Sequence, residues 1–153
     1  MAAPQTDTPV ALKISRTFSA PREKVFRAWT ETEALKSWFA PSEKFVTRIP
    51  RLEVRVGGSY RIEMEIEGKI HTVTGSYREV SPPRKLVFTW KWETEPQHGE
   101  TLVTIEFLER GGKTEVILTH ERFPSETARD EHQKGWTGCL DRLGNFVLQR
   151  RTA

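Results

Sequence analysis

The stretch that decides the fold is "DEHQKGWTGCLDRLGNFVLQR", residues 130–150. Set at about 100° per residue with Trp136 as origin, Leu143, Val147, His132, Leu140, Cys139 and Phe146 fall in a stripe about 120° wide. Lys134, Asp141 and Asn145 lie opposite. The pattern predicts a buried amphipathic helix near 126 to 148. Its composition is a poor one for a helix, because Gly135, Gly138 and Gly144 each cost about 1 kcal/mol relative to alanine in a helix interior. Packing must offset that cost. Gly135 and Gly144 fall at the two margins of the stripe, where a missing side chain lets the helix sink toward whatever it covers. Gly138 points outward in this scheme, and the periodicity gives it no role.

What the helix covers is read from the rest of the chain. Residues 9–20, "PVALKISRTFSA", alternate as a strand, with Ile14, Arg16 and Phe18 at two-residue spacing. The period then changes: Pro21 suits a first helical turn, and Val25, Phe26 and Trp29 sit at helical spacing. Thr30 followed by Glu33 matches a capping box, after which Ala34, Leu35, Trp38 and Phe39 form a second short apolar face ending before Pro41. From 42 to 121 no helical period occurs, and turn signals such as Gly57-Gly58, Glu67-Gly68, Pro82-Pro83 and Gly111-Gly112 separate six strands. The loops are too short for parallel crossovers, so the strands pair as an antiparallel meander. Alternation places Tyr60, Ile62, Met64 and Ile66 on one face and Arg61, Glu63, Glu65 and Glu67 on the other. The same test groups Leu86, Phe88, Trp90 and Trp92, then Val103, Ile105 and Phe107, then Val116, Leu118 and His120. A sheet with one apolar face needs a cover, and the C-terminal helix is the element large enough to provide it.

The 153 residues fit one domain over 9–150 behind a flexible N-terminal tail, 1–8. No apolar run approaches the roughly 18 residues of a membrane span, "MAAPQTDT" is not a secretory signal, and a lone Cys139 fits a reducing compartment. A cytoplasmic protein without membrane insertion is expected. The 24 basic residues are interleaved with 21 acidic ones, as in "RIEMEIEGK", which argues against the clustered basic stripe of a nucleic-acid surface.

The segments "SAPREKVFRAWTE", "RVGGSYRIEM", "GSYREVSPPRKLVFTWKW", "TLVTIEF", "TEVILTHERFP" and "HQKGWTGCLDRL" carry a family resemblance. In this order, from about residue 12 to 148, the chain resembles the activator of 90-kDa heat shock protein ATPase homologue 1-like family, of the START-like or SRPBCC superfamily. The resemblance implies an α+β helix-grip fold: a curved seven-stranded antiparallel sheet around a long C-terminal helix, with two short helices after the first strand. It also implies a cup for sterols, lipids, polyketides or similar molecules, and a possible chaperone partner.

A curved sheet and a straight helix diverge at one end, which leaves room for a small hydrophobic ligand between them. The residues expected to line that space are Trp29, Trp38, Tyr60, Met64, Tyr77, Trp90, Trp92, His120, Trp136 and Leu140. His120 and His132 are the acid–base candidates on inner faces, and each is more often a hydrogen-bonded structural histidine. Cys139 stands about 10 Å along the helix from His132, too far for a nucleophile–base pair, so no catalytic residue is assigned. The four histidines lack paired ligand spacing and no cysteine pair exists, so neither a metal nor another cofactor is expected. Three functions fit this reading: a hydrophobic-ligand module, a co-chaperone-like activator of the 90-kDa heat-shock chaperone, and a polyketide cyclase or dehydratase.

Overall fold

Alternating apolar side chains can all be buried only if the strands share one face, and the computed structural model, which describes residues 10–148, shows that arrangement. The strands are β1 (Val10–Phe18), β2 (Val46–Leu52), β3 (Ser59–Ile66), β4 (Lys69–Ser81), β5 (Lys85–Trp92), β6 (Glu100–Arg110) and β7 (Lys113–Phe123). They form one sheet in the order β1-β7-β6-β5-β4-β3-β2, with every pairing antiparallel. The expected meander is therefore present, and β1 closes it against the last strand. Two helices, α1 (Arg22–Thr30) and α2 (Thr32–Trp38), follow β1, and α3 (Glu126–Leu148) ends the described chain. This is the helix-grip fold. The N-terminal tail expected at 1–8 lies outside the described residues.

The faces divide as the alternation requires. Tyr60, Ile62 and Met64 of β3 are buried, as are Val103, Ile105 and Phe107 of β6. The charged row faces outward and pairs across strands, with Arg48 Nη2 on Glu65 at 2.5 Å and Arg61 Nη1 on Glu93 at 2.6 Å. Interleaved charge thus belongs to a solvated sheet face. Register irregularities fall between Arg48 and Arg51 in β2 and between Tyr77 and Glu79 in β4, and such bulges bend a sheet. The hairpin at Gly111-Gly112 has φ of 61° and 87°, a left-handed pair that glycine adopts without strain.

The capping box expected at Thr30 and Glu33 does not form. Thr30 ends α1, where its hydroxyl donates to the Phe26 carbonyl at 3.1 Å, and α2 starts after Glu31 without a side-chain cap. Pro21 likewise precedes α1 as its cap residue instead of entering its first turn. The far end of α2 is fastened from another element: Arg142 Nε donates to the Trp38 carbonyl at 3.0 Å, a cation on helix-terminal carbonyls.

Residues Trp136, Cys139, Leu140, Leu143 and Val147 of α3 are buried, while Asp141 and Asn145 are exposed. Each glycine of this helix has its own surroundings. A Cβ on Gly138 would stand 2.1 Å from the Pro41 carbonyl oxygen, so the segment after α2 crosses α3 at a distance only glycine permits. The outward position assigned to Gly138 is thus corrected, because a single-helix projection contains no neighbouring loop. Gly144 meets Phe18 at ordinary contact distance, consistent with its marginal place. A Cβ on Gly135 would meet nothing within 4 Å, so the expected close approach there is replaced by open space.

Candidate functional site

That open space is a cavity of about 320 Å³ between the first half of α3, the strands β3 to β5 and the segment after α2. From α3 come Glu131, His132, Gly135, Trp136 and Cys139, which are spaced as one helical stripe. The sheet contributes Met64 and its cross-strand neighbour His71, with Trp90 and Trp92 from β5. Phe39, Pro41 and Phe45 close one side, and Glu95 comes from the turn after β5. The walls are mainly aromatic. Trp136 packs its ring 5.1 Å from Trp90 and 5.7 Å from Phe39, centroid to centroid.

Behind this wall runs a chain of buried hydrogen bonds. Trp136 Nε1 donates to His120 Nδ1 at 3.0 Å, so the His120 proton sits on Nε2 and donates to Thr101 Oγ1 at 2.7 Å. Thr101 in turn donates to the Trp90 carbonyl at 3.0 Å. His120 is fully buried, and burial first and the nearby His132 second hold its pKa well below the ordinary 6.5. Both of its nitrogens are committed to protein groups. His132 is bound differently: its Nδ1 donates to the Ala128 carbonyl at 2.7 Å, and its Nε2 accepts the Trp92 indole N–H at 2.8 Å. Burial pushes the Cys139 thiol up to about 12, which leaves it protonated and a poor nucleophile.

Of the residues expected from sequence to line the space, Met64, Trp90, Trp92 and Trp136 do so. Trp29, Tyr60 and Tyr77 border a separate space of about 20 Å³, too small for a ligand, and Phe39 and Trp90 border both. Tyr60 is held in place there by its hydroxyl on the Thr89 carbonyl at 2.5 Å. Trp38 and Leu140 are fully buried, and Trp38 donates its indole N–H to the Ala28 carbonyl at 3.0 Å. With His120, they support the wall without lining it. Sequence reasoning did not place Phe39, Pro41, Phe45, His71, Glu95, Glu131, His132, Gly135 and Cys139 among the lining residues. The stripe of Glu131, Gly135 and Cys139 was visible in the helical period, and His71 in its pairing with Met64. Trp90 is 5% exposed, yet its indole N–H has no partner among the described residues. No cluster of three or more metal-binding side chains gathers among them either.

With this geometry in place, known proteins supply the context. The family described as Activator of Hsp90 ATPase homolog 1-like protein matches residues 19–147. The chain belongs to this family. The human and mouse proteins named "Activator of 90 kDa heat shock protein ATPase homolog 1" are 23% identical over 126 residues. That alignment covers 82% of this chain and 33% of each relative, so the chain spans about one third of their length. Among solved structures, a Chromobacterium violaceum protein matches with a TM-score of 0.84 at 27% identity, covering 90% of this chain and 96% of that one. An Arthrobacter aurescens protein has a TM-score of 0.82 at 17% identity, covering 93% and 88%. The second likeness is one of fold. It extends the same architecture to sequences that have diverged widely.

Proposed function

We propose that this family member binds a small hydrophobic molecule, a lipid, sterol or polyketide-like compound, in the cavity between its sheet and α3. The observation that carries this reading is the cavity itself, about 320 Å³ of aromatic-walled space, near the lower end of the roughly 300 to 1,000 Å³ usual for ligand pockets. The commitment of both His120 nitrogens to protein groups favours a binding module over a cyclase or dehydratase. A cytoplasmic location belongs to the same proposal; no described helix is long and apolar enough to cross a membrane.

The test uses Gly135, where a larger side chain projects into open space. Thermal midpoints and tryptophan emission are measured for the wild type and Gly135→Leu against fatty acids, sterols and flavonoids. A ligand that raises the wild-type midpoint and quenches its emission, with no effect on the variant, is the expected result. Equal responses of both proteins would exclude the cavity as the site.

A second reading rests on the name of the human and mouse relatives, activators of a 90-kDa heat-shock ATPase. This chain would then stimulate such a chaperone through a protein interface. Adding it to the purified chaperone and measuring ATP turnover decides that point, and an unchanged rate removes the reading.

A further inference from the structure

Most of the cavity wall is helix or paired strand, whose backbone is placed by its own hydrogen bonds. Phe39, Pro41 and Phe45 are different, because they lie between α2 and β2, where neither a ladder nor a helical turn sets the chain. Their position must be fixed from another element.

Two residues of α3 fix it, and neither lines the cavity. Arg142 donates from Nε to the Trp38 carbonyl at 3.0 Å and from Nη2 to the Ser37 carbonyl at 3.3 Å. One turn earlier, Gly138 leaves the slot that the Pro41 carbonyl occupies: a Cβ there would stand 2.1 Å from that oxygen and 3.0 Å from its carbon. Four positions apart, the two share one face of the helix, and together they grip the backbone of residues 37–41. On the far side, Thr47 Oγ1 of β2 donates to the Phe39 carbonyl at 2.9 Å. Of the two bodies in this contact α3 is the firmer, since Trp136 is bonded to His120 beneath it and Arg16 meets Asp141 at 2.8 Å. A change in the grip therefore moves the irregular segment, and Pro41 with it.

We infer that Gly138 and Arg142 are positioning residues that set the width of the cavity, and so the size of guest it accepts, by holding the 37–41 backbone against α3. This rests on the ligand-binding reading and names how that site selects. Moving the Pro41 carbonyl out of the slot to ordinary contact with a Cβ takes about 1 Å. A wall displaced by that much alters a pocket by roughly one methylene, a difference worth about tenfold in discrimination between guests.

The test is isothermal titration calorimetry with 1-naphthol, 9-phenanthrol and 1-hydroxypyrene, which carry one hydroxyl on two, three and four fused rings. Gly135→Leu, whose side chain projects into the cavity, is the blank. In Gly138→Ala the ratio of four-ring to two-ring affinity should rise about tenfold over the wild type. Arg142→Ala removes both carbonyl ties without adding an atom, so overpacking does not threaten its fold, and the ratio should rise about threefold. Val147→Ala, a buried position about two turns beyond the cavity, loosens α3 without touching the grip and should leave the ratio as in the wild type. Ratios unchanged in both grip variants, or shifted equally in Val147→Ala, overturn the inference and leave the ligand-binding reading standing. If Gly138→Ala does not fold, Arg142→Ala decides by the same comparison. No wild-type heat above the blank with any of the three compounds overturns both.

Discussion

Trp136 on α3 donates its indole N–H to His120 Nδ1 on β7 across 3.0 Å, and this bond joins the middle of the helix to the floor of the sheet. The acceptor is available only while His120 is neutral. Protonation would turn Nδ1 into a donor facing another donor, on a side chain with no exposed surface to solvate the charge.

The first prediction concerns pH. The folded-state pKa of His120 is depressed below 6.5, so under acidic conditions the unfolded chain binds a proton that the folded chain refuses. The sign follows from linkage: stability is fully present above the unfolded value and declines as pH falls below it toward the depressed folded value. The limiting slope for one proton is about 1.4 kcal/mol per pH unit. His120→Gln retains a donor and an acceptor without titrating. Urea melts between neutrality and pH 5 should therefore show a steeper acid decline in the wild type than in this variant, and parallel declines would remove His120 as the cause.

The second prediction separates two glycines of one helix. Gly138→Ala puts a methyl 2.1 Å from the Pro41 carbonyl oxygen, which forces α3 and the loop apart and should cost several kcal/mol, on the order of other overpacking changes. Gly135→Ala meets nothing within 4 Å and should stabilise by about 0.5 to 1 kcal/mol through helix propensity. Denaturant midpoints moving in opposite directions are the expected signature.

The third prediction tests α3 as the core element. Leu140 and Leu143 are both fully buried, and replacing either with alanine should cost about 2 to 5 kcal/mol. Unchanged urea midpoints would contradict the packing described.

These cases mark what the sequence can and cannot show. The apolar stripe of α3 was legible because a 3.6-residue period is a property of one element, and the meander was legible because short loops leave few pairings. The use of Gly138 was not, since the carbonyl it accommodates belongs to Pro41, nearly a hundred positions away in a loop without periodicity. The same limit applies to the cavity. Trp29, Tyr60 and Tyr77 point inward just as Met64 and Trp90 do, and no local pattern distinguishes them. What separates wall from filled core is the local gap between layers, set by the sheet bulges and by Phe39, Pro41 and Phe45 after α2. The face of a residue is local information; the emptiness in front of it is not.

The last prediction concerns Trp136, which both lines the cavity and belongs to the buried network. Trp136→Ala removes contacts with Trp29, Phe39 and Trp90 and leaves the His120 Nδ1 acceptor unpaired, so a stability loss of about 3 to 5 kcal/mol is expected. The vacated volume is continuous with the existing cavity, because the ring removed is part of its wall. The variant should consequently accept bulkier guests than the wild type, and a guest with a hydrogen-bond donor can satisfy His120. Binding to the folded state alone stabilises by about 2.7 kcal/mol at a hundredfold excess over Kd, so a fitting guest should recover much of the loss. The measurement is the thermal midpoint of both proteins against guests of increasing ring number. Selectivity shifted toward larger rings in Trp136→Ala is expected, and an identical ranking in the two proteins would show that Trp136 does not bound the space.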